Sequence, residues 1–342
     1  MKMKKLTSIF LIVFLAIILS SCAKQYEEIN VYSARHYRSD EVLFKSFTAR
    51  TGIRVNLIKG DSDQLINRLV MEGVDSPADI FITADAGRIG LAVEQGILQP
   101  IAFEGNRAMV PNHLRDENGY WTGLTQRARI IAYHRERVNA DELSTYEQLT
   151  DSKWKGKILS RSSQSHYNQT MLASIIAAEG YDAALEWTQG VVGNFARPPQ
   201  GNDRDQVKAV AAGVGDLAIV NTYYLGLLLR SSNSEERKVA EQMGVFFPNQ
   251  NDRGAHINVS AMGVTTSSKN VDNAIKLIDY LLEKSSQEYL ASENFEYPVH
   301  PEASWPELLK TWGEFKGDEQ SLTGLSGYIP DAMRIFNIAG WD

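Results

Sequence analysis

The sequence predicts a two-lobed α/β fold with a ligand cleft between the lobes, and three observations carry that expectation. Strand-like and helix-like segments alternate from residue 29 onward. The run WTGLTQRARIIAYHRERV over 121–138 reads as a long strand crossing into a second lobe, and GVFFPNQNDRGAHINVSAMGVT over 244–265 reads as a return crossing. The roughly 320 residues after Cys22 exceed what one hydrophobic core usually organises.

Taken in order, the chain opens MKMKKLTSIFLIVFLAIILSSC, with Lys2, Lys4 and Lys5 before an apolar run to Leu19. This reads as a secretory signal, because the apolar stretch is short for a bilayer and ends in small residues. Leu-Ser-Ser-Cys resembles a bacterial lipoprotein box, so 1–22 is expected to be removed or lipidated at Cys22, with 23–28 a polar tether. Strands follow at 29–34, 53–60 and 78–85, separated by helices at 39–52, capped by Ser39 and stopped by Gly52, and at 62–73. A helix through RIGLAVEQG ends at ILQPI. Beyond the first crossing come a strand at 156–160, helices at 168–180 and 203–213, a strand at 216–221 and a helical run at 225–230. Helices over 271–283 and 286–292 and a final helical region close the chain. The expected division is 29–125 plus 255–300 for the first lobe and 126–254 plus 301–342 for the second. Alternation of this kind argues for parallel strands with crossover helices, and ligands then lie at the C-terminal ends of strands, between the lobes.

Composition excludes several functions. Cys22 is the only cysteine, so the exported chain has no internal disulfide and no thiolate for catalysis or metal binding. The net charge is −7 with both signs dispersed, and no basic run follows the signal, which argues against nucleic acid. No G-x-S-x-G or H-E-x-x-H run occurs, and Asp79 and Asp85 read as turn, cap and packing residues rather than an acid/base pair, so no enzyme is expected.

Against that background the tyrosines stand out. Tyr37 in SARHYRSD, Tyr167 in LSRSSQSHYNQT, and the adjacent Tyr223 and Tyr224 in AIVNTYYLGLL all fall in strand-to-helix loops facing the expected cleft. Packing tyrosines belong instead on strand faces or apolar helix stripes, where Tyr280 and Tyr289 fall. Several phenols without a cysteine suit a hard trivalent cation such as Fe(III), which prefers anionic oxygen. Ionising one phenol at neutral pH costs about 4 kcal/mol, and four about 16, so only a highly charged cation offsets the sum. Zinc and calcium favour other donors. His36 is a candidate nitrogen ligand or an ordinary loop histidine, and His166 and His256 are weaker candidates. Four phenolates around a 3+ ion leave one negative charge. Arg127 or Arg129, on the crossing strand, would balance it unless they are plain cleft-edge arginines.

These residues resemble a known family: the bacterial ferric-iron-binding proteins of ABC transporters, two-lobed type II periplasmic binding proteins of transferrin-like kind. The resemblance spans nearly the whole mature chain and rests on NVYSARHY, SPADIFITADAGRIGLAVEQGILQPI, SSQSHYNQT, NFARPPQGNDRDQVKAVAAGVGDLAIVNTYYLG, FFPNQNDRGAHINVSAMGV and NFEYPV. It is closest to the cyanobacterial-type branch, in which the protein alone supplies the iron ligands. The resemblance implies a mixed sheet flanked by helices in each lobe and a hinge of crossing strands. It implies Fe(III) held by Tyr37, Tyr167, Tyr223 and Tyr224, with His36 a ligand in some relatives, and Arg127 behind them as balancing charge. It further implies a monomeric receptor, periplasmic or at the cell surface, lipid-anchored to a membrane and delivering iron to a permease and an ATPase. One position departs: some relatives read YYLAR, whereas Leu227 stands here in YYLGL, which bears on the choice between ferric and ferrous iron. Ser162 and Ser163 are candidates to hold an accessory anion. A different cargo on the same fold, an organic solute or oxyanion paired with Arg127 and Arg129, is the alternative reading.

Overall fold

The computed structural model describes residues 27–320, 322 and 324–342; the signal segment, Cys22 and the tether up to residue 26 lie outside them. Helices of eight residues or more are labelled. The first part of the chain runs β1 (Glu28–Ser33), α1 (Arg38–Thr51), β2 (Arg54–Lys59), α2 (Ser62–Glu72), β3 (Ile80–Thr83), α3 (Ala86–Glu94) and β4 (Leu98–Gln99). A long strand, β5 (Thr122–His134), leads to β6 (Ile158–Leu159), α4 (His166–Glu179), α5 (Tyr181–Gly193), α6 (Asp203–Ala211), β7 (Leu217–Asn221), α7 (Thr222–Leu229), α8 (Ser234–Glu241) and β8 (Met243–Phe246). The return strand is β9 (Ile257–Thr265), followed by α9 (Val271–Leu281), α10 (Lys284–Asn294), β10 (Tyr297–Pro298) and α11 (Ile329–Ala339).

The expectation of parallel strands holds only at the two ends of the sheet. β1 pairs in parallel with β2 and β3, and β6 with β7. Between them β9 runs antiparallel to β3 and β5, and β5 antiparallel to β7, so the strand order is β2-β1-β3-β9-β5-β7-β6. The reversal follows from β5 and β9 themselves: each is a long, almost fully buried run that crosses the molecule instead of returning through a helix. The first half of β5 pairs with β9 and β10, and its second half with β7 and β8.

Two bodies of core form on either side of these strands. Ile29, Val31, Phe81, Ile82, Val259 and Leu277 belong to one. Ile131, Trp154, Leu172, Ile219 and Phe336 fill the second body, and Val220, Tyr223 and Phe295 a further cluster beside it. The fold is therefore a two-lobed α/β structure hinged on crossing strands. Among the described residues no helix is long and apolar enough to cross a membrane.

Several local expectations need correction. Tyr37, not Ser39, is the residue preceding α1, and no side chain caps that helix, because the Ser39 hydroxyl donates to Asn294 Oδ1 at 2.8 Å instead. Gly52 does stop α1, in a left-handed conformation (φ 78°) with its N–H on the Thr48 carbonyl. Glu28, read as tether, already pairs with Arg54 in β1. The helix α5, absent from the sequence reading, begins directly after Gly180, whose φ of 87° turns the chain between two helices without a loop.

Candidate functional site

Of the four singled-out tyrosines, Tyr37 lies in the strand-to-helix loop as expected, whereas Tyr167, Tyr223 and Tyr224 lie in first helical turns. Tyr37 is the extended residue before α1 (φ −83°, ψ 138°), Tyr167 is the second residue of α4, and Tyr223 and Tyr224 are the second and third of α7. The helices start earlier than expected because Ser165 and Asn221 supply the extended residue before each. Asn221 does not cap α7 with its side chain; its Oδ1 accepts from Arg129 Nη1 at 3.2 Å. A side chain in a first helical turn is held more rigidly than one in a loop, and it sits where the helix dipole favours a negative charge.

The rings converge on one cavity of about 440 Å³ that Tyr37, Tyr167, Tyr223, Tyr224, His36 and Leu227 help to line. The Tyr223 hydroxyl donates to the Tyr167 hydroxyl at 3.1 Å. The ring of Tyr223 meets Tyr37 edge-on with centroids 6.4 Å apart and lies 4.2 Å from that of Tyr224. Tyr37 follows β1 in one lobe, whereas the other three follow β6 and β7 in the other, so phenols from both lobes meet across the cleft.

Electrostatically this is a site of neutral phenols. Burial pushes the Tyr37 hydroxyl well above its ordinary range, Glu296 pushes it further, and only Arg35 pulls it back. Tyr223 is also raised well above the usual value, first by burial and then by its neighbours Tyr167, Tyr37 and Tyr224, with Arg127 acting the other way. Burial also raises Tyr224, with Tyr167 and Asp203 adding to it. Each phenol thus penalises ionisation of the next. The arrangement can present several oxygen anions to a cation that displaces the protons.

The other candidates distribute as follows. His36 is exposed at the edge of the same cavity. His256 is buried, is not among the residues lining that cavity, and is held neutral with its pKa pushed down to about 3, first by burial and then by Arg253, Arg129 and Arg127. His166 has ligand atoms within 4.8 Å of Asp61 and Asp63, but Asp63 is ion-paired with Arg88 at 2.7 Å and Asp61 caps α2. Arg127 and Arg129 are both buried rather than at a cleft edge. Arg129 is committed to Asp203 at 2.6 Å, whereas Arg127 lies 5.5 Å from the Tyr167 ring centroid, with no carboxylate partner among the described residues. Ser162 and Ser163 precede α4 in a turn rather than beginning it, and the Ser162 hydroxyl accepts from Gln164 N–H. Asp85 caps α3, and Asp79 accepts from the Asn30 N–H at 2.8 Å, as packing residues would.

Two arginines escaped the sequence reading. Arg35, two residues before Tyr37, is buried with its guanidinium 4.7 Å from the Tyr37 ring centroid. Arg161 lies 5.5 Å from the Tyr167 ring centroid and is loosely paired with Asp203 at 3.6 Å. Burial of an arginine leaves no signature in local sequence, and only the spacing SARHY hinted at Arg35.

The model of a family described as bacterial extracellular solute-binding protein matches residues 75–312. The chain is 46% identical over 317 residues to Iron uptake protein A1 of Synechocystis sp., covering 93% of this chain and 88% of the relative. Among solved structures, Trichodesmium (IdiA) (FutA) in complex with iron and citrate ligands superposes with a TM-score of 0.89 at 46% identity, covering 92% of this chain and all (100%) of that one. The ferric binding protein from Campylobacter jejuni superposes with a TM-score of 0.87 at 40% identity, covering 92% of this chain and 100% of the other.

Proposed function

We propose, from the premise that this chain belongs to the bacterial extracellular solute-binding proteins and is a cyanobacterial-type ferric-iron-binding periplasmic protein, that it captures Fe(III) with Tyr37, Tyr167, Tyr223 and Tyr224. It is a solute-binding protein and not an enzyme, and its place is outside the cytoplasm. Iron is its cargo, delivered to the permease and ATPase of an ABC transporter. Lipidated Cys22 tethers a monomeric receptor to the membrane.

The observation that carries this reading is the convergence of four phenols on one cavity, in an environment that holds Tyr37, Tyr223 and Tyr224 protonated. A divalent ion recovers too little Coulomb energy to offset ionising the set, whereas a trivalent ion does so and releases protons as it binds. The loaded centre, four phenolates and a 3+ ion, carries one net negative charge. Arg127, buried beside Tyr167 and without a carboxylate partner among the described residues, offsets it. His36, exposed at the rim, supplies a nitrogen ligand on closure. The lobes move as 29–125 plus 255–300 against 126–254 plus 301–342. The separation of a core built on β1 and β3 from those built on β7 supports the main part of that division, while Phe295 and Tyr297 pack with the β7 side and Leu322 and Leu325 with the β1 side.

The test is the visible spectrum of the mature protein titrated with ferric citrate, beside the Tyr223→Phe, Tyr224→Phe double variant. A broad phenolate-to-iron band is expected in the unsubstituted protein and a much weaker one in the variant. No band in either would overturn the iron reading and return the site to an organic solute or oxyanion.

A further inference from the structure

Ser260 sits in the middle of β9, wholly buried in the apolar run INVSAMGVT. Its hydroxyl oxygen accepts from two guanidinium groups: from Arg35 Nη1, and from Arg127 Nη1 at 3.3 Å. Arg35 stacks against Tyr37 and Arg127 against Tyr167, the phenols that come from opposite lobes. One hydroxyl on a hinge strand thus joins the residues beneath both.

This arrangement is poor for folding alone. Two like charges meet at one oxygen inside the protein, where their repulsion is only partly screened. Arg35 is neutralised by Asp40 at 2.8 Å and Glu296 at 3.1 Å, and Thr125 Oγ1 also accepts from it at 3.0 Å. Among the described residues Arg127 has only Ser260 and the Ala84 carbonyl as hydrogen-bond partners. An apolar residue at 260 would suit the surrounding strand, and the pair of cations makes sense once anionic oxygens lie above them.

We propose that Ser260 is a positioning residue: its hydroxyl holds Arg35 and Arg127 in a fixed relation, and through them sets Tyr37 and Tyr167 for simultaneous contact with one cation. This rests on the ferric-iron reading above. Removing the hydroxyl lets the two guanidinium groups separate. Arg127, with fewer other partners, moves more, and the two phenols no longer act as a unit.

The experiment compares the unsubstituted mature protein with Ser260→Ala, which removes one oxygen atom, and with Thr125→Val, which removes a different hydroxyl from Arg35 and Glu296 and none from Arg127. Each is measured for ferric affinity against citrate, for the position of the visible band, and in a double-mutant cycle of Tyr37→Phe with Tyr167→Phe. Ser260→Ala is expected to bind about tenfold more weakly, the typical worth of a hydrogen bond to a charged group, with a shifted band and loss of coupling between the tyrosines. Thr125→Val is expected to keep the coupling. If Ser260→Ala retains the band position and the coupling, whatever happens to its thermal stability, the positioning role is overturned while the iron reading stands. If the unsubstituted protein shows no band, both fall together.

Discussion

A phenol is a poor anion at neutral pH, and this site makes it poorer. Tyr37 and Tyr223 have folded-state pKa values above the unfolded value near 10, raised chiefly by burial. A group raised in this way contributes stability that is present below the unfolded pKa and lost as pH climbs through the folded one. The metal-free protein is therefore expected to lose stability above roughly pH 10, and Tyr223→Phe to flatten that loss, as read by urea unfolding across the alkaline range. At this scale the tyrosines were legible, because four of one unusual residue type in equivalent places need no knowledge of the fold. Arg35 and Ser260 were not, since their meaning lies in contacts made across more than two hundred residues of chain.

At the scale of elements, α7 places the paired tyrosines, and Gly226 decides how closely α7 can approach its neighbour. A Cβ at Gly226 would lie 2.5 Å from the Cγ of Phe295, whose ring is fixed by a left-handed backbone (φ 56°) at the end of α10. Neither side can yield without moving a helix. Gly226→Ala is expected to cost about 1–3 kcal/mol in equilibrium unfolding and to weaken ferric binding by displacing Tyr223 and Tyr224. The apolar run LGLLLR predicts a helix from 225, beyond the tyrosines, whereas α7 begins at Thr222. Aromatic residues are weak helix formers, and tertiary packing on Phe295 and the strand β7 overrides that preference.

For the whole molecule, the hinge strands β5 and β9 join lobes that each hold part of the site, with Tyr37 alone of the four tyrosines on the β1 side. Iron that engages Tyr37 together with the other three would then hold the lobes in the closed arrangement in which these rings meet. Ferric loading is expected to reduce the radius of gyration measured by solution X-ray scattering. Tyr37→Phe should keep a visible band from the remaining three phenolates yet lose that compaction. A Tyr37→Phe variant that compacts like the unsubstituted protein would remove Tyr37 from the closing step.

The sequence by itself determined the two-lobed α/β class, the crossing strands and, through its single cysteine, the lack of thiol chemistry, and it singled out four tyrosines as candidates, since periodicity and residue chemistry are local properties of the chain. Only the tertiary structure decided that the sheet runs antiparallel through its middle and that Tyr167, Tyr223 and Tyr224 stand in first helical turns. It alone decided, too, that two buried arginines meet at Ser260. Those outcomes depend on which distant segments share a neighbourhood, and burial and charge act there through space rather than along the chain.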